Sequence, residues 1–103
     1  MKTNNIILDK SFEFAVRIVK LRKHLMTTEN EYILSKQILR SGTSIGAMIK
    51  EAQHAESNAD FIHKLSIALK EANETDYWLM LLHNTEYINE VFYNSLEKIS
   101  MKL

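Results

Sequence analysis

The sequence contains no cysteine, no proline and only two glycines among its 103 residues. Without cysteine, the chain has neither a disulfide framework nor a thiolate metal site. Without proline, and with so few glycines, nothing forces turns at the short intervals that separate β-strands. Because 46% of the residues are nevertheless hydrophobic, the composition predicts an all-α fold of long, uninterrupted helices.

Long hydrophobic runs are also missing. The longest one, residues 77–82, has six residues, whereas a helix that crosses a membrane needs roughly 20. The N-terminal segment has three consecutive apolar residues before Asp9, which is fewer than the core of a signal peptide contains. We therefore expect a cytoplasmic protein with no membrane partner.

Hydrophobic residues recur at helical spacing in four segments of the chain. These segments predict helices over about 10–26, 29–55, 58–84 and 90–102. The links between them are short, so consecutive helices should be antiparallel neighbours. The prediction is one domain, residues 1–103, folded as an up-and-down four-helix bundle. Residues 1–9 are expected to form a loose arm, with Asp9 as the N-cap of the first helix.

Helix starts are marked by capping residues. Thr28 and Glu31, like Ser57 and Asp60, have the capping-box spacing of a hydroxyl residue and an acidic residue three positions later. Asn89 is the predicted N-cap of the last helix.

Both glycines lie in the predicted second helix, where Gly42 and Gly46 are four residues apart. A glycine in the middle of a helix costs about 1 kcal/mol relative to alanine. Two of them indicate that another helix backbone comes close at this point. We expect the closest helix–helix approach near Ser41 and Gly42.

The first and third helices carry more apolar surface than the core of one small bundle needs. The first has two adjacent stripes, one containing Phe12, Val16 and Val19 and the other containing Phe14, Ile18 and Leu21. The surplus predicts a homo-oligomer. The candidate residues of its subunit interface are Phe14, Ile18, Leu21, Trp78 and Leu81.

Formal net charge is zero, but residues 1–50 carry nine Lys/Arg and four Asp/Glu, and residues 51–103 carry four and nine. One interpretation is that basic and acidic helices pair within or between subunits. Under it, Arg40 and Glu51 hold polar contacts between helices. The other interpretation is that the basic side chains bind nucleic-acid phosphates. Its candidate residues are Lys10, Arg17, Lys20, Arg22, Lys23, Lys36 and Arg40.

An alternative function is a metal-dependent enzyme with a site on the bundle helices. Glu51 and His54 have the Glu-x-x-His spacing that supplies half of a di-iron site, and Asp60 and His63 echo it. On a helical wheel these side chains point away from the predicted core. We therefore assign no catalytic, cofactor-binding or metal residues and expect no cofactor.

Residues 31–79, which include R-S-G-T-S-I-G-A-M-I-K-E-A, and residues 11–21, S-F-E-F-A-V-R-I-V-K-L, resemble a family of bacterial four-helix bundle proteins. Members are related to the proteins encoded in intervening sequences of large-subunit ribosomal RNA genes. The family pattern S-I-x-x-N-I-x-E matches Ser44, Ile45, Ile49 and Glu51, with Met48 where asparagine is usual.

The resemblance implies an up-and-down bundle that assembles into a homopentamer and has no catalytic residues. Similar proteins include the accessory variability determinant of diversity-generating retroelements, a basic pentamer that works with a reverse transcriptase and RNA. The net charge of zero in this chain differs from that basic character. The function expected is a non-enzymatic binding or scaffold module, with RNA or a nucleic-acid enzyme as its candidate partner.

Overall fold

The computed structural model describes the backbone of residues 2–101 and the side chains of residues 6–98. This part of the chain forms four α-helices and no strand. They are α1 (Lys2–Thr27), α2 (Ile33–Ala52), α3 (Asn58–Asn84) and α4 (Glu90–Met101). Each helix packs against the next one along the chain, and α4 also packs against α1. The fold is the all-α four-helix bundle that the hydrophobic spacing predicts.

The two ends of α3 and the start of α4 agree with the predicted bounds. The predicted end of α4 at residue 102 lies outside the described residues. The prediction of a loose arm over residues 1–9 was wrong, because α1 already begins at Lys2. Asp9 lies inside this helix and is not its N-cap. Ile7 and Leu8 pack against the core, so this segment has an apolar side to bury as a helix.

Helix α2 ends at Ala52 and not at residue 55 as predicted, and it begins four residues later than predicted because of the chain around Asn30. This residue has a positive φ of 54°, a left-handed conformation that asparagine tolerates better than most residues but that interrupts a helix. The prediction of a capping box at Thr28 was also wrong. The carboxylate of Glu31 itself caps α2, and it accepts hydrogen bonds from the backbone N–H groups of Ile33 (3.2 Å), Leu34 (2.9 Å) and Ser35 (2.7 Å).

The other two predicted caps are confirmed. The Ser57 hydroxyl accepts a hydrogen bond from the backbone N–H of Asp60 at 3.1 Å. Asn89 Oδ1 accepts one from the backbone N–H of Phe92 at 2.8 Å. Each cap satisfies a donor that the first turn of a helix leaves without a partner.

The small residues of α2 allow the close approach that the glycines predict. A Cβ on Gly42 would lie 2.9 Å from Ile18 Cγ1 in α1, and one on Gly46 would lie 3.1 Å from Ser11 Oγ. On the side of α2 that faces α3, the hydroxyls of Ser41 and Thr75 share a buried hydrogen bond of 2.9 Å. Helix α2 is therefore in close contact with both of its neighbours.

Candidate functional site

Three of the candidate interface residues are core residues. Phe14 and Ile18 are completely buried and Leu21 is 2% exposed, so they have almost no surface to offer a second subunit. Their assignment to an interface was wrong. Two apolar stripes run along α1, and the close contact of Ile18 with Gly42 shows which of them faces inward.

The other stripe of α1 is the exposed one. Phe12 is 68% exposed, and Val16 and Val19 are each 37% exposed. On a helical wheel these three residues lie opposite Phe14 and Ile18. We call them the α1 apolar face.

Trp78 and Leu81, the other candidate interface residues, are half-buried. The Trp78 ring packs against the core, and its Nε1–H donates a hydrogen bond to Glu74 Oε2 at 2.9 Å. A separate set of apolar side chains on α3 is between 38% and 64% exposed. We call it the α3 apolar face, and it consists of Ile62, Leu65, Leu69, Tyr77 and Met80.

The two apolar faces belong to helices at opposite corners of the bundle. Within the described residues, α1 packs against α2 and α4 but not against α3. Because each face points away from the core on its own helix, the molecule presents two separate apolar surfaces.

Arg40, one of the candidate nucleic-acid residues, is held between helices. Its guanidinium forms salt bridges with Glu71, at 3.3 Å, and with Glu74. The hydrogen bond and charge of Glu74 raise the pKa of Arg40, and hydrogen bonds from Trp78 and Arg40 lower the pKa of Glu74.

Glu51 makes a similar contact, with its carboxylate 2.8 Å from Lys64 Nζ. The predicted polar contacts of Arg40 and Glu51 between helices are therefore confirmed. Part of the charge asymmetry is used to pair basic α2 with acidic α3.

The remaining candidate cations do not form one continuous patch. Lys10, Lys20, Lys23 and Lys36 are exposed, whereas Arg17 and Arg22 are half-buried. On a helical wheel, Lys10, Arg17 and Lys20 share the side of α1 toward α4, Lys23 lies on the same side as the α1 apolar face, and Arg22 lies toward α2. Lys36 belongs to α2. The structure brings Arg17 and Lys20 together, with Lys10 about two turns away on the same side of α1 and the other cations on other sides.

A groove of about 340 Å³ lies between α1 and the start of α4. We call it the α1–α4 groove. It is lined by Arg17, Lys20, Leu21, His24, Tyr87, Ile88, Asn89 and Phe92. Arg17 crosses one side of it, because its Nη1–H donates to Ser95 Oγ at 2.6 Å and its guanidinium lies 5.1 Å from the centre of the Phe92 ring.

Sequence reasoning found the cations of the groove but missed Tyr87, Asn89 and Phe92. Tyr87 and Asn89 lie in the link between α3 and α4, and Phe92 lies in the first turn of α4. Only the packing of α4 on α1 brings them beside Arg17 and Lys20. The available signal was the pair of aromatic residues on either side of the predicted cap Asn89.

Asp76 on α3 and Glu97 on α4 form a carboxyl pair at the edge of a second cavity, of about 460 Å³. The hydrogen bond with Asp76, burial, and the negative charge of Asp76 together raise the pKa of Glu97 to about 7. Burial and the charges of both carboxyls raise the pKa of the nearby Tyr93. A proton on Glu97 allows it to donate to Asp76, since two ionised carboxylates have no donor between them.

The geometry needed for the metal-enzyme alternative is not present in the part of the chain that the structure describes. No three His, Asp or Glu side chains converge there in a way that suits a metal ion. Glu51 is paired with Lys64, and His54 and His63 are exposed.

Within the same residues, none of the four helices has both the length and the apolar character needed to cross a bilayer.

The fold and its surfaces define a small antiparallel four-helix bundle protein with two exposed apolar faces and a cationic groove. Residues 3–103 match the family described as 23S rRNA-intervening sequence protein. The chain belongs to this family, as its sequence pattern predicts.

A solved structure supports the same relationship. It is the crystal structure of a protein of unknown function from the S23 ribosomal protein family of Bacteroides thetaiotaomicron, with 61% sequence identity and a TM-score of 0.95. The similarity covers 99% of this chain and 90% of that one. A comparison with curated proteins gives no match. Neither the family nor the solved structure indicates a catalytic activity.

Proposed function

We propose that this protein is a non-catalytic subunit of a homo-oligomeric ring, which acts as a binding or scaffold module for RNA or for an enzyme that works on nucleic acid. The observation that carries the proposal is the pair of apolar faces on α1 and α3. Exposed apolar patches of this kind are typical of protein interfaces.

The placement of the two faces favours a ring over a twofold dimer. In a twofold dimer the same patch on each subunit is buried, which would leave the second apolar face exposed. When the α1 face of one subunit meets the α3 face of the next, both faces are buried in every subunit. Such a head-to-tail contact closes into a ring when the rotation between subunits allows it. The family resemblance supports five subunits.

RNA as the partner is supported by the cations of α1 that have no acidic partner within the described residues. Among these, Lys10, Lys20 and Lys23 are exposed, and the salt bridges found there involve only Arg40 and Lys64. One subunit offers few phosphate contacts, but a ring repeats them around its circumference. Repetition raises the overall affinity because the later contacts become intramolecular.

The ring is tested with one charged substitution on each face, Phe12→Glu on α1 and Leu69→Glu on α3. We expect light scattering at micromolar concentration to show an oligomer for the unmodified chain and monomers for both variants. The matched control is Ile33→Glu, since Ile33 is a 75% exposed residue of α2 outside both faces. An acidic residue at the start of a helix is well tolerated, so this variant should stay oligomeric.

Mixing the two variants tests the head-to-tail contact itself. Phe12→Glu keeps its α3 face and Leu69→Glu keeps its α1 face, so an equimolar mixture should form a dimer with one copy of each. If either variant dimerises alone, the contact joins identical faces and the head-to-tail ring is wrong. A monomeric unmodified chain would exclude the oligomer altogether.

A further inference from the structure

The α1–α4 groove combines cationic and aromatic side chains around a space of small-molecule size. We propose that it binds one nucleotide, with the base against the aromatic side chains and the phosphate at the cations of α1. This site specifies a ligand for the proposed function. The proposal rests on that function only for the source of the nucleotide. The source is either a single-stranded RNA segment or a free nucleotide.

The phosphate is expected at three cationic or protonatable side chains of α1. Arg17, Lys20 and His24 are separated by three and four residues, so they project from one side of the helix. All three line the groove. Within the described residues, no acidic side chain lines the groove and no salt bridge neutralises these three groups. The positive charge of Arg17 and Lys20 is therefore available to an anion, and the His24 ring adds a hydrogen-bond donor.

The base is expected on the aromatic side of the groove. Tyr87 and Phe92 contribute rings to the lining, and the buried side chains of Leu21 and Ile88 add apolar surface. The Arg17 guanidinium, 5.1 Å from the Phe92 ring centre, adds a planar cation on which a base also stacks. Unpaired bases bind on such aromatic and guanidinium surfaces in proteins that recognise single strands.

Asn89 supplies a polar group beside the rings. Its Oδ1 is occupied by the backbone N–H of Phe92, which leaves the amide NH₂ of the same side chain as a donor. The edge of a base has acceptors for such a donor. An anion without a base would use the cations of the groove but would not need its aromatic rings.

Groove size restricts the ligand further. A volume of about 340 Å³ is at the lower end of the range of small-molecule sites, which is about 300–1,000 Å³. This space suits one unstacked nucleotide and is too small for a paired duplex. The groove therefore favours single strands or free nucleotides over double-stranded RNA.

The test compares AMP, adenosine and inorganic phosphate by isothermal titration calorimetry, and a single-stranded decanucleotide with a duplex of the same length by fluorescence anisotropy. Three variants are measured beside the unmodified chain. Lys20→Ala removes a cation of the groove, Phe92→Leu removes a ring while keeping an apolar side chain, and Lys23→Ala is the control. Lys23 lies three residues from Lys20 on the same helix, is also exposed, and does not line the groove.

We expect AMP to bind more tightly than adenosine or phosphate. Lys20→Ala and Phe92→Leu should each weaken AMP binding about tenfold, in line with the contribution of a phosphate contact or a stacked base. Lys23→Ala should weaken it less than twofold. Tyr87→Leu, which removes the other ring of the groove, replaces Phe92→Leu if circular dichroism shows that the latter is unfolded.

The outcomes separate this proposal from the proposed function. AMP binding that depends on Lys20 but not on Lys23 supports the groove, and if RNA then fails to bind, the source is a free nucleotide and the RNA function is overturned. RNA binding that falls equally in Lys20→Ala and Lys23→Ala keeps the RNA function and overturns the groove. Phosphate that binds as tightly as AMP overturns base recognition. No binding of any probe overturns the nucleotide site and RNA as the partner, and it leaves the ring and an enzyme partner to the tests of the apolar faces.

Discussion

At the scale of single residues, the contact between Gly42 and Ile18 decides how closely α1 and α2 pack. A Cβ on Gly42 would lie 2.9 Å from Ile18 Cγ1 and 3.0 Å from Cγ2. Isoleucine is branched at Cβ and has a stiff χ1 angle, so these atoms do not move aside easily. The glycine is therefore required by packing, although it weakens the helix.

Gly42→Ala is expected to lower the free energy of unfolding by about 1 kcal/mol. Overpacking a core costs about 1–3 kcal/mol, and alanine recovers about 1 kcal/mol of helix propensity. In an Ile18→Ala background, both clashing γ-carbons are absent. The same substitution should then stabilise the protein, by up to about 1 kcal/mol.

Chemical denaturation of the four proteins at one fixed concentration measures this double-mutant cycle, since oligomer stability depends on concentration. If Gly42→Ala stabilises the unmodified chain, the helices do not approach as closely as this contact indicates.

At the scale of helices, polar pairs link neighbours that the hydrophobic core already holds together. Arg40 and Glu51 of α2 reach α3, Arg17 reaches α4, and Glu97 joins α4 to Asp76 of α3. The acidic partners of Arg40 were predictable in kind, because basic and acidic residues are concentrated on different helices, whereas the Glu51–Lys64 pair has the opposite polarity and does not follow from that asymmetry. The Asp76–Glu97 pair was not predictable either, because two like charges do not predict a contact.

The Asp76–Glu97 pair should make stability depend on pH. The pKa of Glu97 is raised to about 7 in the folded state from an ordinary value of 4.5, so the folded protein holds this proton more tightly than the unfolded chain does. Its contribution is complete below pH 4.5 and is lost as pH rises through 7. Glu97→Gln keeps a donor for Asp76 and removes the titration.

We therefore expect the unfolding free energy of Glu97→Gln, relative to the unmodified chain, to increase between pH 5 and pH 8. Denaturation at four pH values across this range measures the difference. A constant difference would show that Glu97 titrates at its ordinary pKa in the folded protein.

For the molecule as a whole, ring formation and RNA binding are expected to depend on each other. Each subunit contributes few phosphate contacts, and the number per particle determines how steeply affinity falls with salt. Leu69→Glu should prevent ring formation without touching the cations of α1. It should therefore weaken RNA binding and reduce the slope of log affinity against log salt concentration.

Anisotropy titrations of single-stranded RNA at several salt concentrations provide the measurement. Ile33→Glu carries the same change in charge and should bind like the unmodified chain. If both variants lose affinity equally, added negative charge explains the loss and the ring does not contribute to RNA binding.

The number and type of the helices could be predicted from the amino-acid sequence alone, because long segments with a regular apolar spacing and no proline have only one efficient way to bury their hydrophobic side chains. The position of the close helix contact was predictable as well, since glycine in a helix has few other reasons to be present. The sequence pattern likewise indicated family membership.

Which apolar stripe of α1 faces inward became clear only from the packed bundle. Phe14 and Phe12 belong to equally apolar stripes, and the difference between a buried and an exposed ring depends on where α2 and α4 pack. The groove likewise depends on bringing residues 17–24 beside residues 87–92. A periodic pattern indicates which residues share a side of one helix. Which side makes contact depends on the surfaces of both helices, so it is decided only when they pack.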